Sequence, residues 1–556
     1  MSEKINESAE YQSIVLNKRQ QCDLELLMNG GFSPLDGFLK EGDYNSVVEK
    51  MRLLSGEVWP MPIVLPVKEE KRSSLNLNET ITLKNEENLP LAMMKLESIF
   101  KPDLVKECVN VYGSDDDNHP YVKIVMENKG GYYLGGKVTK IQLPPHFDFS
   151  EDRLTPEETR NFIREKGWER VVGFQTRNPM HRSHFELTKY AMDQGDANLL
   201  LHPVVGITQD CDVDYFTRVK CYKKLMKYYP ENSAKLCLLP LSMRMAGPRE
   251  AVWHAIIRKN YGCTHFVVGR DHAGPSYKKK DGSDFYGPYD AQELLESVAD
   301  EIGIKLITSK LIVYAKSKET GEGIYSAIDN VDKEKYEIMN ISGTKQRELL
   351  RNGEKLPEWF TFPEIEEELV KEFKPKSEQG FCLYFVGLSG CGKTTLANAM
   401  KAKLQEKVSG RQITILDGDI VRQHLSRGLG FSKEDRSVNI QRIGYVASEI
   451  VKHNGIVLCA NIAPFENDRK VNRDLISQYG GYIEVYVDTT LDECEKRDVK
   501  GLYKLAREGK IKQFTGISDP FEEPVNCSIK LDGGSNIPLE ENINKIVNYL
   551  QNENYL

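Results

Sequence analysis

Two stretches of this 556-residue sequence carry residues whose types and spacing could do chemistry. The first is Gly387-Leu388-Ser389-Gly390-Cys391-Gly392-Lys393-Thr394, with the G-x-x-x-x-G-K-[ST] spacing of a phosphate-binding loop. Its glycines let backbone N–H groups turn inward around phosphate oxygens, Lys393 adds a mobile charge, and Thr394 offers a hydroxyl to magnesium. Cys382 to Val386 before it read as a buried strand and Thr395 to Met400 behind it as the opening of a helix, a context that a bare Gly-rich turn lacks. Gly387, Ser389, Gly390, Gly392, Lys393, Thr394 and Thr395 are the expected cradle of a nucleoside triphosphate and its Mg2+. The second stretch is Gln175-Thr176-Arg177-Asn178-Pro179-Met180-His181-Arg182-Ser183-His184, directly after a strand-like Val171-Val172-Gly173-Phe174. Two histidines three apart at a helix start share one face, near the strand end where ligands of open α/β sheets bind. Arg177 and Gln175 supply donors for a tetrahedral oxyanion. Phosphate contact at the helix N-terminus fits the histidines better than a metal, for which the spacing offers no third ligand.

The elements that must position these groups are legible as changes of texture. Up to about residue 150, short apolar runs such as Met61 to Val67 are punctuated by Gly, Pro and Asn, which suggests a mostly β domain. After Thr155-Pro156-Glu157-Glu158, a helix-start signal, strands and helices alternate; Val171 to Phe174 and Phe266 to Gly269 look like buried parallel strands of a doubly wound α/β domain. A short helical region containing Ile341 to Thr344 and Leu356 to Phe360 leads into the polar segment Lys371 to Gly380, the clearest boundary in the chain. The expected division is 1–150, 151–330, a small cap at 331–375, and 380–556.

Composition excludes several classes. Hydrophobic content of 40% and charged content of 28% are those of a soluble globular protein. A formal net charge of -8 argues against a general nucleic-acid binder. Eleven cysteines without a C-x-x-C pair suggest neither a disulfide framework nor a cysteine zinc site. The N-terminus lacks the apolar core of a signal peptide and no apolar run approaches spanning length, so a cytoplasmic enzyme without a membrane partner is expected.

The Gln175 to His184 stretch resembles the signature of the ATP sulfurylase (sulfate adenylyltransferase) family. Met243-Arg244-Met245-Ala246-Gly247-Pro248-Arg249-Glu250, Gly269-Arg270-Asp271-His272-Ala273-Gly274 and Ile341-Ser342-Gly343-Thr344 are similar to it as well. The resemblance covers most of residues 1–370 and implies a β-rich PUA-like domain, a Rossmann-like nucleotidyltransferase domain and a helical cap. It further implies that Gln175, Arg177 and the backbone near Ala246 hold sulfate, and that Thr176, Asn178, His181, His184 and Arg244 orient and neutralise the ATP phosphates. Gly269, Arg270, Asp271 and His272 would line the nucleotide pocket. Sulfate would attack the α-phosphorus to give adenosine 5′-phosphosulfate and pyrophosphate, with no covalent protein intermediate.

From Phe381 onward the chain resembles the adenylylsulfate kinase family, through the phosphate loop, Leu416-Asp417-Gly418-Asp419, Leu429-Gly430-Phe431-Ser432, Asp435 to Arg442, Lys500-Gly501-Leu502-Tyr503 and Phe514 to Ile517. By that resemblance Asp419, with Asp417 second, accepts the ribose 3′-hydroxyl proton; Arg422, Arg436 and Asn439 contact the phosphosulfate; Phe431 and Phe514 sandwich its adenine. Arg497 packs on the ATP base and Lys500 to Lys512 form a lid. Ile420 stands where the family usually has Asn, and Ala463 replaces a common serine, which argues against a phosphoserine intermediate. The implied partners are ATP, sulfate and adenosine 5′-phosphosulfate, in a homo-oligomer. Two functions fit: a bifunctional enzyme making 3′-phosphoadenosine 5′-phosphosulfate, or a sulfurylase whose kinase-like end, as in fungal relatives, is an inactive sensor of that product. The intact phosphate loop favours the first.

Overall fold

Runs such as Val171–Phe174 and Phe381–Val386 show no polar alternation because each strand is buried along its whole length, as parallel strands covered on both faces are. A computed structural model describes residues 2–556 except 210, 211, 310, 409, 499, 535 and 536. The chain forms two compact units: Met1–Ile341 with Pro357–Leu369, and Ser342–Leu356 with Val370–Leu556.

The first unit begins with a seven-stranded, largely antiparallel sheet in which Tyr132–Lys140 pairs four other strands. The mostly β expectation is met in part: helices Lys18–Asn29, Glu41–Lys50 and Leu104–Tyr112 accompany the strands. A five-stranded parallel sheet follows, built from β1 (Val171–Phe174), β2 (Asn198–Leu201), β3 (Ala234–Leu236), β4 (His265–Val268) and β5 (Lys305–Thr308) in the order β3-β2-β1-β4-β5. From β1 the chain winds outward on one side through β2 and β3, then returns to β1's other edge with β4. The loops after β1 and β4 therefore face each other across the switch point, the crevice where α/β sheets bind ligands. Helix α1 (Arg182–Gly195) follows β1 and helix α2 (Gly247–Asn260) precedes β4. One apolar core runs from Ile14 to Ile304, so the segments on either side of residue 150 share it. A three-stranded sheet of β6 (Ile312–Ser317), β7 (Gly323–Ala327) and β8 (Tyr336–Met339) comes next. The expected boundary at 330/331 passes through this sheet, because β8 pairs with β6.

The second unit is another five-stranded parallel sheet, of β9 (Phe381–Val386), β10 (Ile413–Asp417), β11 (Ile456–Ala460), β12 (Gly481–Asp488) and β13 (Ile529–Asp532), in the order β10-β11-β9-β12-β13. Cores on its two faces enclose β9. The phosphate loop leaves β9 and enters α3 (Lys393–Lys407). Gly387 holds φ +153° and any Cβ there would lie 2.7 Å from the Val487 carbonyl oxygen, so no other residue fits this turn. Among the described residues no helix is long and apolar enough to cross a membrane.

Candidate active sites

In the first unit, the stretch after β1 folds into a tight turn. Thr176 Oγ1 donates to the Asn178 carbonyl (3.1 Å) and accepts the Asn178 N–H (3.2 Å), while Tyr222 fixes the same carbonyl from outside (2.8 Å). His181 ends the turn and precedes α1; its N–H donates to His184 Nδ1 at 3.3 Å. The buried His181 ring bonds Thr361 Oγ1 through Nδ1 (3.1 Å) and stacks on Phe360 at 4.2 Å between centroids. His184 remains half-buried at the mouth of α1, and burial pushes its pKa down to about 4. The His184 ring is therefore neutral near pH 7 rather than a cation. Gln175 is held loosely, Nε2 to Met243 Sδ at 3.5 Å, while Asn178 is exposed.

Arg177 directs Nη1 at both oxygens of Asp212 (2.6 and 2.8 Å) and Nη2 toward Ser276 Oγ (3.5 Å). Asp212 thus occupies part of the guanidinium, which an entering oxyanion must share or take over. Ser276 lies in the loop that follows β4, so Arg177 joins the two loops of the switch point. In that second loop Asp271 and Ala273 hold φ of +54° and +55°, and Gly274 N–H closes the turn on the Asp271 carbonyl. Gly269 leads in from β4, and the exposed Arg270 pairs with Asp271 (3.1 Å). His272 turns inward to His254 (3.1 Å).

Two expectations are corrected. The Arg244 guanidinium, 2% exposed, is not available to ATP phosphates: Nη2 pairs with Asp23 (2.6 and 2.8 Å), Nη1 donates to the Ser242 carbonyl, and the group packs over Tyr121 and Trp253. The Ala246 N–H is likewise already donated, to Glu250 Oε2 at 2.8 Å, while Glu250 Oε1 accepts the Arg244 N–H (2.9 Å). A helix-start carboxylate fills the backbone nest that would receive an anion.

In the second unit a cavity of about 610 Å³ opens at the carboxyl ends of β9, β10 and β11. Ser389, Gly390, Gly392, Lys393, Thr394 and Thr395 form one wall; Asp417, Asp419, Arg422, Phe431, Arg436, Asn439 and Phe514 lie around the rest. Lys393 is folded onto its own loop, Nζ donating to the carbonyls of Gly387 (2.9 Å) and Leu388 (2.6 Å), contacts that phosphate oxygens can replace. Thr394 Oγ1 bonds Asp417 Oδ2 at 2.7 Å, and Asp417 Oδ1 accepts the Asp419 N–H at the start of helix α4 (Gly418–His424). These hard oxygen donors at the loop are what a magnesium–nucleotide complex needs. With Asp417 so committed, Asp419 is the freer carboxylate, exposed and paired with Lys500. Arg422 donates to the Gly430 carbonyl (2.8 Å) and lies 4.4 Å over the Phe431 ring, and Arg436 reaches Thr515 (2.7 Å) and Asp519. Phe431 is 66% exposed at the rim of the cavity. Phe514 packs edge-on against Tyr503.

Gly387 and Arg497 are not among the cavity's lining residues. The glycine shapes the loop from behind, and Arg497 is spent on the Gly533 carbonyl (2.8 Å) and Glu493 (3.1 Å). Sequence reasoning missed Asn461, which lines the cavity with both amide atoms buried and unpartnered. Asn439 Oδ1 is in the same condition. Two unsatisfied buried amides in one cavity await a polar ligand. Only its place directly after the buried β11 run could have pointed to Asn461. Phe360 and Thr361, which hold His181, were also unmarked. Ala463 lines the cavity at φ +44°, and Ile420 faces solvent on α4.

Family models match in chain order: a PUA-like domain over residues 1–143, ATP-sulfurylase over 150–372 and adenylylsulphate kinase over 379–532. A sulfate adenylyltransferase of Gibberella zeae is 46% identical over 534 residues, covering 96% of this chain and 92% of that one. Another from Emericella nidulans is 44% identical, covering 99% and 95%. Among solved structures, a hexameric APS kinase from Thiobacillus denitrificans superposes with a TM-score of 0.80 at 32% identity, covering 99% of this chain and 95% of that one. The shared length takes in both candidate sites, and the chain accordingly belongs to the sulfate adenylyltransferase family, enzymes of sulfate activation, with an adenylylsulfate kinase domain as its C-terminal part.

Proposed function

We propose that this chain carries out two consecutive steps of sulfate activation. In the first unit a sulfate oxygen attacks the α-phosphorus of ATP, the bond to the β-phosphate bridging oxygen breaks, and pyrophosphate leaves with adenosine 5′-phosphosulfate as product. Arg177 and Gln175 hold the sulfate; Thr176, Asn178, His181 and His184 surround the phosphates; Gly269 to His272 face the nucleoside. Their work is in-line positioning and donation of N–H and O–H groups where charge gathers on the leaving pyrophosphate.

In the second unit the ribose 3′-hydroxyl of adenosine 5′-phosphosulfate attacks the γ-phosphorus of a second ATP. Asp419 accepts the hydroxyl proton after parting from Lys500, and ADP leaves with 3′-phosphoadenosine 5′-phosphosulfate as the other product. Thr394 and Asp417 would hold Mg2+ bound with ATP, where it offsets phosphate charge. Arg422, Arg436, Asn439 and Asn461 address the phosphosulfate, and Phe431 and Phe514 its adenine. A homo-oligomer is the proposed assembly, in keeping with the hexameric relative. The observation that carries the reading is the intact phosphate loop lining the same cavity as these side chains.

The test is incubation of the full chain with labelled sulfate, ATP and magnesium, with both sulfated nucleotides resolved. Both products are expected, and supplied adenosine 5′-phosphosulfate is converted directly. If the first product forms but is never phosphorylated, while added 3′-phosphoadenosine 5′-phosphosulfate alters its rate of formation, the C-terminal domain is a sensor and the second step falls.

A further inference from the structure

Helix α2 places Glu250, His254 and Arg258 four residues apart, on one face. All three are 0% exposed. Glu250 accepts backbone N–H groups on both oxygens, from Arg244 (2.9 Å) and Ala246 (2.8 Å), an arrangement that suits an ionised carboxylate. Burial raises the Glu250 pKa, and these two donors, which favour the charged form, offset part of the rise. His254 Nε2 lies 3.4 Å from Glu250 Oε1, too poorly aligned for a full hydrogen bond, and no other partner meets that nitrogen. On the other side His254 Nδ1 is 3.1 Å from His272 Nε2. Burial and the neighbouring Arg258 push the pKa of both rings well below the ordinary histidine value, so both are neutral at pH 7.

A neutral imidazole has one donor and one acceptor, and an N···N contact needs exactly one proton between its partners. A lone pair at His254 Nε2 would face the Glu250 carboxylate, so the proton sits on Nε2 and Nδ1 is bare. His272 must then donate from its own Nε2, which leaves His272 Nδ1 without a proton. That nitrogen has no hydrogen bond among the described residues, and the His272 ring is only half-buried in the loop after β4.

Resting on the sulfurylase reading above, we propose that His254 is a positioning residue that locks His272 in one tautomer, so that the nucleotide loop offers a bare Nδ1 to a hydrogen-bond donor of bound ATP. The donor is the base's exocyclic amine or a ribose hydroxyl; both present N–H or O–H to an imidazole lone pair. Through Glu250 the same row of side chains ties this loop to the 244–246 turn, with no contact of its own to substrate.

Two measurements test this on the full-length chain. The first is 15N NMR of wild-type protein labelled at histidine, with His272 assigned from its loss in His272→Asn. His272 should show a protonated Nε2 and a bare Nδ1; a protonated Nδ1 overturns the proposal, whatever any variant does. The second is adenylylsulfate synthesis by wild type, His254→Leu and His254→Asn, with phosphorylation in the second unit as internal reference. The Asn side-chain oxygen stands where Nδ1 stood and can still accept from His272. His254→Leu should raise KM for ATP about tenfold with kcat changed less than about threefold, and His254→Asn should restore most of it.

Inosine triphosphate, 2′-deoxy-ATP and 3′-deoxy-ATP locate the donor: the analogue lacking it should carry a penalty in wild type that largely disappears in His254→Leu. Equal behaviour of the Leu and Asn variants, or undiminished discrimination against all three analogues in His254→Leu, overturns the proposal. A wild type that makes no adenylylsulfate overturns the sulfurylase reading and this inference with it; a working wild type with an indifferent Leu variant sinks only the inference.

Discussion

The two candidate sites both lie at the carboxyl ends of strands in a five-stranded parallel sheet, yet hold their polar groups in opposite ways. In the first unit the groups are already spent on one another: Arg177 on Asp212, the Ala246 N–H on Glu250, His181 on Thr361 and Phe360. Eight of the chain's ten histidines belong to that unit, and burial drives the pKa values of His119 and His184 down to about 4. In the second unit the groups surround an open cavity, Lys393 rests on carbonyls it can leave, and Asn439 and Asn461 have unsatisfied buried atoms. One site has its polar groups bonded within the protein, and the other leaves buried polar atoms without a partner for a ligand to meet. The difference teaches that a parallel sheet sets where a ligand binds, at the carboxyl ends of its strands, while the packing of side chains sets how much of the site exists beforehand.

Breaking either side should leave the other standing. The largest expected effect is Lys393→Ala: phosphorylation of supplied adenosine 5′-phosphosulfate should fall about 1,000-fold through loss of a charge that meets the transferring phosphoryl group, with adenylylsulfate synthesis unchanged. Next, Arg177→Ala should lower adenylylsulfate synthesis about 100-fold and leave the second reaction intact. Steady-state rates of both half-reactions on each variant check the pair, and loss of both activities in a folded variant would contradict independent sites.

A third outcome concerns pH. His119 and His184 titrate near 4 in the folded protein and near 6.5 when unfolded, so between these values the unfolded chain binds more protons and stability is lost as pH falls. Glu107, pushed up to about 7 by burial, works the other way, since its folded form keeps a proton that the unfolded chain has lost above about 4.5. The histidines outnumber it, so hydrogen exchange, corrected for intrinsic rate, should show α1 opening about 30-fold more often at pH 4.5 than at pH 6.5. Helix α3, with no buried histidine in its unit, should change little. The smallest effect is Asn461→Ala, expected to raise KM for adenosine 5′-phosphosulfate about tenfold without altering sulfurylase rates. An unchanged KM would mean that its amide meets only water.

Much of this molecule was legible in local patterns. The phosphate loop announces itself because its spacing is a covalent requirement: glycines at fixed offsets, then a lysine and a hydroxyl, make the cradle whatever surrounds them. The uniformly apolar runs at Val171–Phe174 and Phe381–Val386 could be read as buried parallel strands, which put the motifs after them at strand ends. Arg244 shows where such reading stops. Its neighbours match the family pattern, but whether its guanidinium faces a nucleotide or a carboxylate depends on Asp23, which is 221 residues away. The sheet that spans residue 330 was hidden for the same reason, since β8 is held by its pairing with β6.

The sequence by itself determined which segments turn, where phosphate-type anions are met and the order in which the two enzymatic modules follow one another. Those properties reside in a few adjacent residues and their backbone freedom. Only the tertiary structure decided which charged groups stay available, because a buried guanidinium or imidazole takes whatever partner the packing brings within hydrogen-bond reach, and desolvation then sets its protonation. Arg177 with Asp212, Asp419 with Lys500, and His254 with His272 are each products of that packing.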